Sequence, residues 1–308
     1  MLRELGVRLG YGVGTGLNNV ASVREEAIWA NDVGFDSFWV SQVFGVDPIV
    51  ALAAIGMSCP RILEFGTSVV PLTGRHPLAL AAQARTAQSA LDGRFTLGVG
   101  ASHQIVSEGF FGEPYGSAFS RTSEFLDALL PLLDGTAADV DGDHVFAKGW
   151  LTIECQPVPL LLAALGPKML ALAGERTSGT SLGSCGPRTI ANHIVPEITA
   201  AAARVGRETP RVMAMVGVCI TDDVNGLRAH SREQNAMYDT FASYRAVLDR
   251  EGVASGADLL VAGTPDDLIN GLAAYVDAGA TDLRIMIAHR TSEEREATRS
   301  FLSSALRQ

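Results

Sequence analysis

Short continuous runs of apolar, β-branched and small residues alternate along this chain with longer runs whose apolar residues recur at helical spacing. The strand-like runs are residues 5–13, 37–41, 64–70, 94–99, 158–163, 179–183, 212–220 and 282–288. Their polarity does not alternate, which is the pattern of strands buried on both faces of a parallel sheet. Between and after them, residues 20–33, 48–57, 77–91, 168–175, 188–205, 225–249, 265–278 and 293–306 carry helix-period apolar positions with start and stop signals. Thr264-Pro265-Asp266-Asp267 places a capping hydroxyl before a first-turn proline and two carboxylates that complement the helix dipole. Gly34 and Gly279 close two of the helices. Eight such strands with intervening helices predict a (β/α)8 TIM barrel.

Two segments break the alternation and are expected as insertions after strand 4 and before strand 5. Residues 102–119, SHQIVSEGFFGEPYGSAF, mix glycine with aromatics and read as an irregular loop or lid. Glu108, Phe110, Phe111 and Tyr115 either cover a ligand or pack the loop onto the rim. Residues 136–156 include Val140-Asp141-Gly142-Asp143-His144-Val145, a hairpin signal that predicts an extra ribbon or a solvated insertion. No linker or charge block divides the 308 residues, so a single domain over 1–308 is expected.

Composition narrows the function classes. Hydrophobic residues make up 47% and charged residues 19%, which suits a large helix-wrapped core. The net charge of −10 and the lack of any Lys/Arg run argue against nucleic acid as a partner. Cys59, Cys155, Cys185 and Cys219 are widely separated, and His144, His193, His230 and His289 have no partner at ligand spacing, so no metal site is expected. The cysteines read as reduced thiols of a cytoplasmic protein. No apolar run is long enough to span a membrane, and the first residues carry no signal-peptide pattern.

The chemistry is expected at the strand ends. Thr67-Ser68-Val69-Val70-Pro71 ends the third strand and Gly100-Ala101-Ser102-His103 follows the fourth, where exposed amides approach a ligand closely. Leu165-Gly166-Pro167-Lys168 opens a helix, and Gly183-Ser184-Cys185-Gly186 follows the sixth strand. Both read either as phosphate-holding turns or as ordinary loop punctuation. Arg75 and Arg290 read as solvated surface arginines before any role with an anionic ligand, and His76 as a residue that stacks on or hydrogen-bonds to a ligand or fills space at a helix start. The glycine-rich stretch from Gly10 to Gly16 lacks a P-loop lysine, and no Gly-x-Gly-x-x-Gly unit supports a nicotinamide-binding domain.

The order of Gly34-Phe35-Asp36-Ser37-Phe38-Trp39-Val40, Thr67-Ser68-Val69-Val70-Pro71, Arg75-His76-Pro77-Leu78, Arg94-Phe95-Thr96-Leu97-Gly98-Val99-Gly100, Gly166-Pro167-Lys168 and Gly263-Thr264-Pro265 resembles the luciferase-like flavin and deazaflavin oxidoreductases. The resemblance is greatest to the branch that uses the deazaflavin coenzyme F420. It implies a barrel that holds a flat cofactor at the strand ends, with a non-prolyl cis peptide at Ser68-Val69 behind the ring. Thr67, Ser68, Val69, Gly100, Ala101 and Ser102 then bind the cofactor ring side, and Leu165, Gly166, Pro167, Lys168, Gly183 and Ser184 its polar side.

His103 matches a position where the family presents a polar group to the ring, and is the first catalytic candidate; it reads equally as a loop histidine bonded to backbone. Ser41-Gln42-Val43-Phe44 departs from relatives that carry an acid followed by histidine. Gln42 orients or polarises but is no base, so reduction of an activated C=C or carbonyl compound is favoured over alcohol oxidation. F420 is the expected cofactor, with FMN as the alternative in a luciferase-like monooxygenase, and a catalytically inactive cofactor-binding barrel stays open. The expected partners are a small-molecule substrate and a second copy in a homodimer, with neither nucleic acid nor membrane.

Overall fold

The computed structural model describes all residues except Thr15, Val43, Ser117 and Gln308. Eight strands match the eight apolar runs: β1 (Arg8–Val13), β2 (Ser37–Val40), β3 (Glu64–Thr67), β4 (Phe95–Gly100), β5 (Leu160–Leu162), β6 (Gly179–Leu182), β7 (Arg211–Ile220) and β8 (Asp282–Ile287). Each is hydrogen-bonded to its neighbour in sequence, and β8 to β1, which closes the parallel sheet as a (β/α)8 barrel.

The chain divides into two compact units. The first comprises Met1–Gly12, Trp29–Phe38 and Ala164–Gln308. Its sheet is in register from Arg8 opposite Asp282 to Tyr11 opposite Ile285, with Met213 also opposite Asp282. The buried Asp282 binds Arg8 Nε at 2.9 Å and Arg211 Nη2 at 2.7 Å, so one carboxylate ties the starts of β1, β7 and β8. An additional strand, Val261–Gly263, pairs in parallel with the end of β7. Thr264 then caps the helix Pro265–Asp277 in a reciprocal box with Asp267, as the Thr-Pro-Asp-Asp signal predicts.

The expected single helix over 225–249 is two, Val224–Asp239 and Ala242–Glu251. The Thr240 hydroxyl donates to the Met237 carbonyl at 2.6 Å, and Phe241 is extended. That break gathers Tyr238, Phe241 and Tyr244, whose ring centroids lie 5.7 to 6.3 Å apart. Aromatic clustering outweighs the gain from an uninterrupted helix.

The second unit comprises Val13–Ile28 and Trp39–Ala163. The third strand, expected as continuous over 64–70, stops at Thr67 and resumes as Val70–Pro71, opposite Val99 and Gly100. Helix Ala118–Leu133 was not anticipated between the two insertions. It buries Thr122, Phe125, Leu126, Leu129, Leu132 and Leu133, so its apolar face has the ordinary spacing. Pro131 inside it and the glycine-rich approach obscured that pattern.

The predicted ribbon exists as an antiparallel pair, Ala138–Asp141 with Phe146–Gly149. Arg85 reaches from the helix Pro77–Ala90 to the carbonyls of Leu133 at 2.9 Å and Ile153 at 2.6 Å, fixing the flanks of this insertion. Among the described residues no helix is long and apolar enough to cross a membrane.

Candidate active site

The end of β3 is built by exchanging backbone hydrogen bonds for side-chain ones. The peptide bond Ser68-Val69 is cis, in agreement with the family resemblance. Just before it the Thr67 hydroxyl donates to the Gly98 carbonyl and accepts from the Gly98 amide, both at 2.8 Å. After it, Ser41 Oγ donates to the Ser68 carbonyl at 2.6 Å, and the Gln42 amide donates to the Val69 carbonyl at 3.3 Å. The bulge is thereby held from β4 on one side and from the end of β2 on the other.

Glycines receive the side chain that the bulge projects. A Cβ on Gly98 would lie 3.2 Å from Val69 Cγ1 and would collide with the Thr67 carbonyl. One on Gly100 would lie 3.1 Å from Val69 Cγ2 and 3.3 Å from Ala163 Cβ. Val69 therefore seats both methyl groups on bare backbone, an apolar wall with no bulk beneath it.

Beyond Gly100 the chain passes Ala101, then Ser102 at a φ of +69°, then His103. His103 stands at the start of a short helix, Gln104–Gly109, where its carbonyl accepts from Val106 and Ser107. Burial pushes its imidazole below the ordinary histidine range. Tyr115 donates from its hydroxyl to the Ser102 carbonyl at 3.3 Å, and burial raises its own pKa.

Expected as irregular, the segment after β4 is partly ordered by latches. Thr73 and Ser107 share a buried hydroxyl pair at 2.8 Å, and the Gly74 amide donates to Glu113 at 3.0 Å. Hydrogen bonds from Gln104 and from the Tyr115 amide hold the Glu108 carboxyl below its usual range. Phe110 lies with its ring 4.8 Å from that of Phe44, both largely exposed.

Gln42 is half-buried, and its Oε1 accepts from Arg75 Nη2 at 2.7 Å. Arg75 also binds Asp47 at 2.8 Å and Gln83 at 2.9 Å. Its side chain is only 13% exposed, which corrects the reading of a solvated surface arginine. Three polar partners in one place overcome the cost of burying the guanidinium. Gln42 and Arg75 line a pocket of about 430 Å³ together with Thr73, His76, Gln83 and Phe111. His76 is the helix cap: Nδ1 accepts from Leu78 N at 3.2 Å, which leaves Nε2–H to donate to the Phe146 carbonyl at 2.8 Å. Val43 lies outside the described residues.

In the other unit, Gly166 is the N-cap of the helix Pro167–Arg176, and Gly166, Pro167 and Lys168 are exposed. The Leu165 carbonyl accepts from His193 Nε2 at 2.9 Å, so His193 is a structural residue. Gly183 and Ser184 precede the helical turn at Pro187, and Ser184 has a φ of +52°. There the amides of Arg188 and Thr189 donate to the Glu251 carboxylate at 3.1 and 2.7 Å. An internal anion thus fills that helix start, a feature the sequence could not reveal because Glu251 is over sixty residues away. Arg290 is likewise not a free surface arginine, since it binds Asp223 and Glu294, both at 2.6 Å. Among the described residues no group of three or more His, Cys, Asp or Glu is placed to hold a metal ion.

The chain is similar to known proteins in sequence and in fold. The 5,10-methylenetetrahydromethanopterin reductase of Methanolobus tindarius is 24% identical over 86% of this chain and 89% of its own. The F420-dependent glucose-6-phosphate dehydrogenase of Rhodococcus erythropolis is 27% identical over 92% of each chain. Among solved structures, an F420-dependent secondary alcohol dehydrogenase in complex with an F420-acetone adduct superposes with a TM-score of 0.80 at 18% identity, covering 97% of both chains. The model of the family described as luciferase-like monooxygenase matches residues 3–282. Because that match spans more than half of the sequence, the chain belongs to the luciferase-like monooxygenase family.

Proposed function

We propose that this protein is an F420-dependent oxidoreductase of one (β/α)8 domain that reduces a small organic acceptor with an activated C=C or C=O bond. The observation that carries the reading is the seat of Val69 on Gly98 and Gly100. A planar deazaflavin needs an apolar wall without side-chain bulk, and the residues present fit that need. Thr67, Ser68, Val69, Gly100, Ala101 and Ser102 hold the ring in this reading. The helix start at Leu165, Gly166, Pro167 and Lys168, exposed from Gly166 to Lys168, takes the polar side, because Glu251 already fills the one that follows Gly183 and Ser184. When bound in its reduced form, the coenzyme supplies hydride.

The protein's own groups deal with the charge that follows. As hydride arrives, negative charge develops on the acceptor oxygen, and a fixed donor stabilises it. Gln42 is such a donor through its side-chain NH2 group, and His103 supplies the proton that completes the reduction. Gln42 cannot act as a base, which disfavours removal of an alcohol proton at that position. The aromatic residues of the 102–119 segment exclude water from the site. The likeness to two F420-dependent enzymes supports the choice of coenzyme.

Equilibrium titration tests it. Deazaflavin is expected to bind and, when reduced, to be oxidised by enones; tight FMN binding with indifference to the deazaflavin would transfer the reading to a flavin monooxygenase. The resemblance also carries a cytoplasmic homodimer, and sedimentation of the purified protein checks its oligomeric part.

A further inference from the structure

We infer that Arg75 is a positioning residue that locks the side-chain amide of Gln42 with its NH2 group turned away from Arg75, so that Gln42 meets the acceptor only as a hydrogen-bond donor. This rests on the functional reading given above. A glutamine amide has a carbonyl end and an NH2 end, and either can face a neighbour that accepts or donates. A guanidinium only donates. With Arg75 Nη2 at 2.7 Å from Gln42 Oε1, rotating the amide by half a turn would set donor against donor. One orientation is therefore retained.

Arg75 can impose this because it is itself fixed by two other side chains. Nη2 also meets Asp47 Oδ2 at 2.8 Å, and Nη1 meets Gln83 Oε1 at 2.9 Å on the helix Pro77–Ala90. Asp47 is pinned in turn, because its Oδ1 accepts from the amides of Ile49 and Val50 at 2.9 and 3.1 Å as the cap of the helix Pro48–Ile55. The backbone of Gln42 is tied to the bulge through the Val69 carbonyl. Main chain and side chain are thus held by different partners, and the amide between them has little freedom. Such preorganisation matters most for a group that stabilises developing charge.

The test combines a measurement on the cofactor-free protein with kinetics on the loaded enzyme. The Gln42 side-chain NH2 signal, assigned by its loss in Gln42→Glu, is followed by 15N relaxation in wild type, Arg75→Lys and the Arg75→Met/Asp47→Asn double variant. The double variant avoids leaving a lone carboxylate if Arg75→Met alone folds poorly. The amide is expected to be rigid in wild type, mobile in the double variant and partly restored with lysine. With reduced deazaflavin and 2-cyclohexenone, the double variant is expected to lose about ten- to a hundredfold in kcat, with deazaflavin affinity unchanged. In a Gln42→Ala background the same changes should cost less than about twofold, because the group they position is gone. An unaltered amide signal, additive losses in kcat, or a weakened deazaflavin affinity that marks Arg75 as a cofactor contact would each overturn the inference. A wild-type protein that binds no deazaflavin would instead sink the functional reading, and with it the catalytic half of this inference, while the relaxation data would still report whether the lock exists.

Discussion

The Thr67 hydroxyl gives a hydrogen bond to the Gly98 carbonyl and takes one from the Gly98 amide, each 2.8 Å long, where the β3 ladder is interrupted. All of these groups are buried. Thr67→Val keeps the shape and removes both bonds, leaving the Gly98 amide and carbonyl short of a partner. Unfolding by urea is expected to show a loss of about 2 kcal/mol, and Thr67→Ser should recover most of it.

Gly98 and Gly100 face the same side chain at different clearances. A methyl group on Gly98 meets the Thr67 carbonyl, which is backbone and cannot move aside, whereas on Gly100 it meets a Val69 methyl at 3.1 Å. Gly98→Ala is expected to destabilise by about 1 to 3 kcal/mol. Gly100→Ala should cost less stability yet weaken deazaflavin binding, read by titration, because it pushes Val69 out of its seat.

Burial opposes the charge on Glu294, yet hydrogen bonds from Arg290 and Thr221 hold its carboxyl at about 2. A carboxyl depressed in the folded state stabilises the protein above its unfolded pKa of about 4.3, and that contribution fades as pH falls toward 2. Thermal unfolding temperatures measured from pH 5 to pH 2 are expected to fall in wild type. Glu294→Gln should flatten part of that acid limb while lowering stability at neutral pH.

Burial places the His103 imidazole below its ordinary range, so the folded protein gives up that proton at a lower pH than the unfolded chain. The linked stability is present above the unfolded histidine pKa of about 6.5 and is lost as pH falls through the folded value. For catalysis the sign is opposite: a proton donor gains as pH falls. The rate of enone reduction is therefore expected to rise on the acid side of about 6.5, and His103→Ala should remove that limb of the kcat profile.

Two helix starts differ in what their amides hold. Glu251 fills the one at Arg188 and Thr189, whereas the one opened by Gly166 and Lys168 is exposed. Glu251→Gln is expected to cost about 1 kcal/mol in thermal unfolding, since a charged cap becomes a neutral one. Lys168→Glu should weaken deazaflavin binding by at least about tenfold at low salt, with the difference shrinking as salt rises.

Much of the barrel was legible in the chain because strand burial and helix periodicity are local properties. All eight strands formed where short runs of Val, Leu, Ile and Gly predicted them, and the Thr264 cap and the 138–149 ribbon followed their signals. The helix Ala118–Leu133 and the break at Thr240-Phe241 were not legible. An interior proline masked the first, and the second depends on three rings that attract one another only once the chain has turned. At the site, the position of Val69 and of the Gly100-to-His103 turn could be found from residue order. The partners of Arg75 could not, since Gln42, Asp47 and Gln83 lie 33, 28 and 8 residues away.

The sequence by itself determined the alternation of strands and helices, the family, and the small residues at the ends of β3 and β4, because each is written in neighbouring positions. Only the tertiary structure decided which polar groups are already spent. Arg75 is committed to Gln42 and Asp47, Glu251 to a helix start, and Arg290 to Asp223. Those commitments arise when distant charges and amides leave water together and must satisfy one another, a condition imposed by folding and carried by no single stretch of chain.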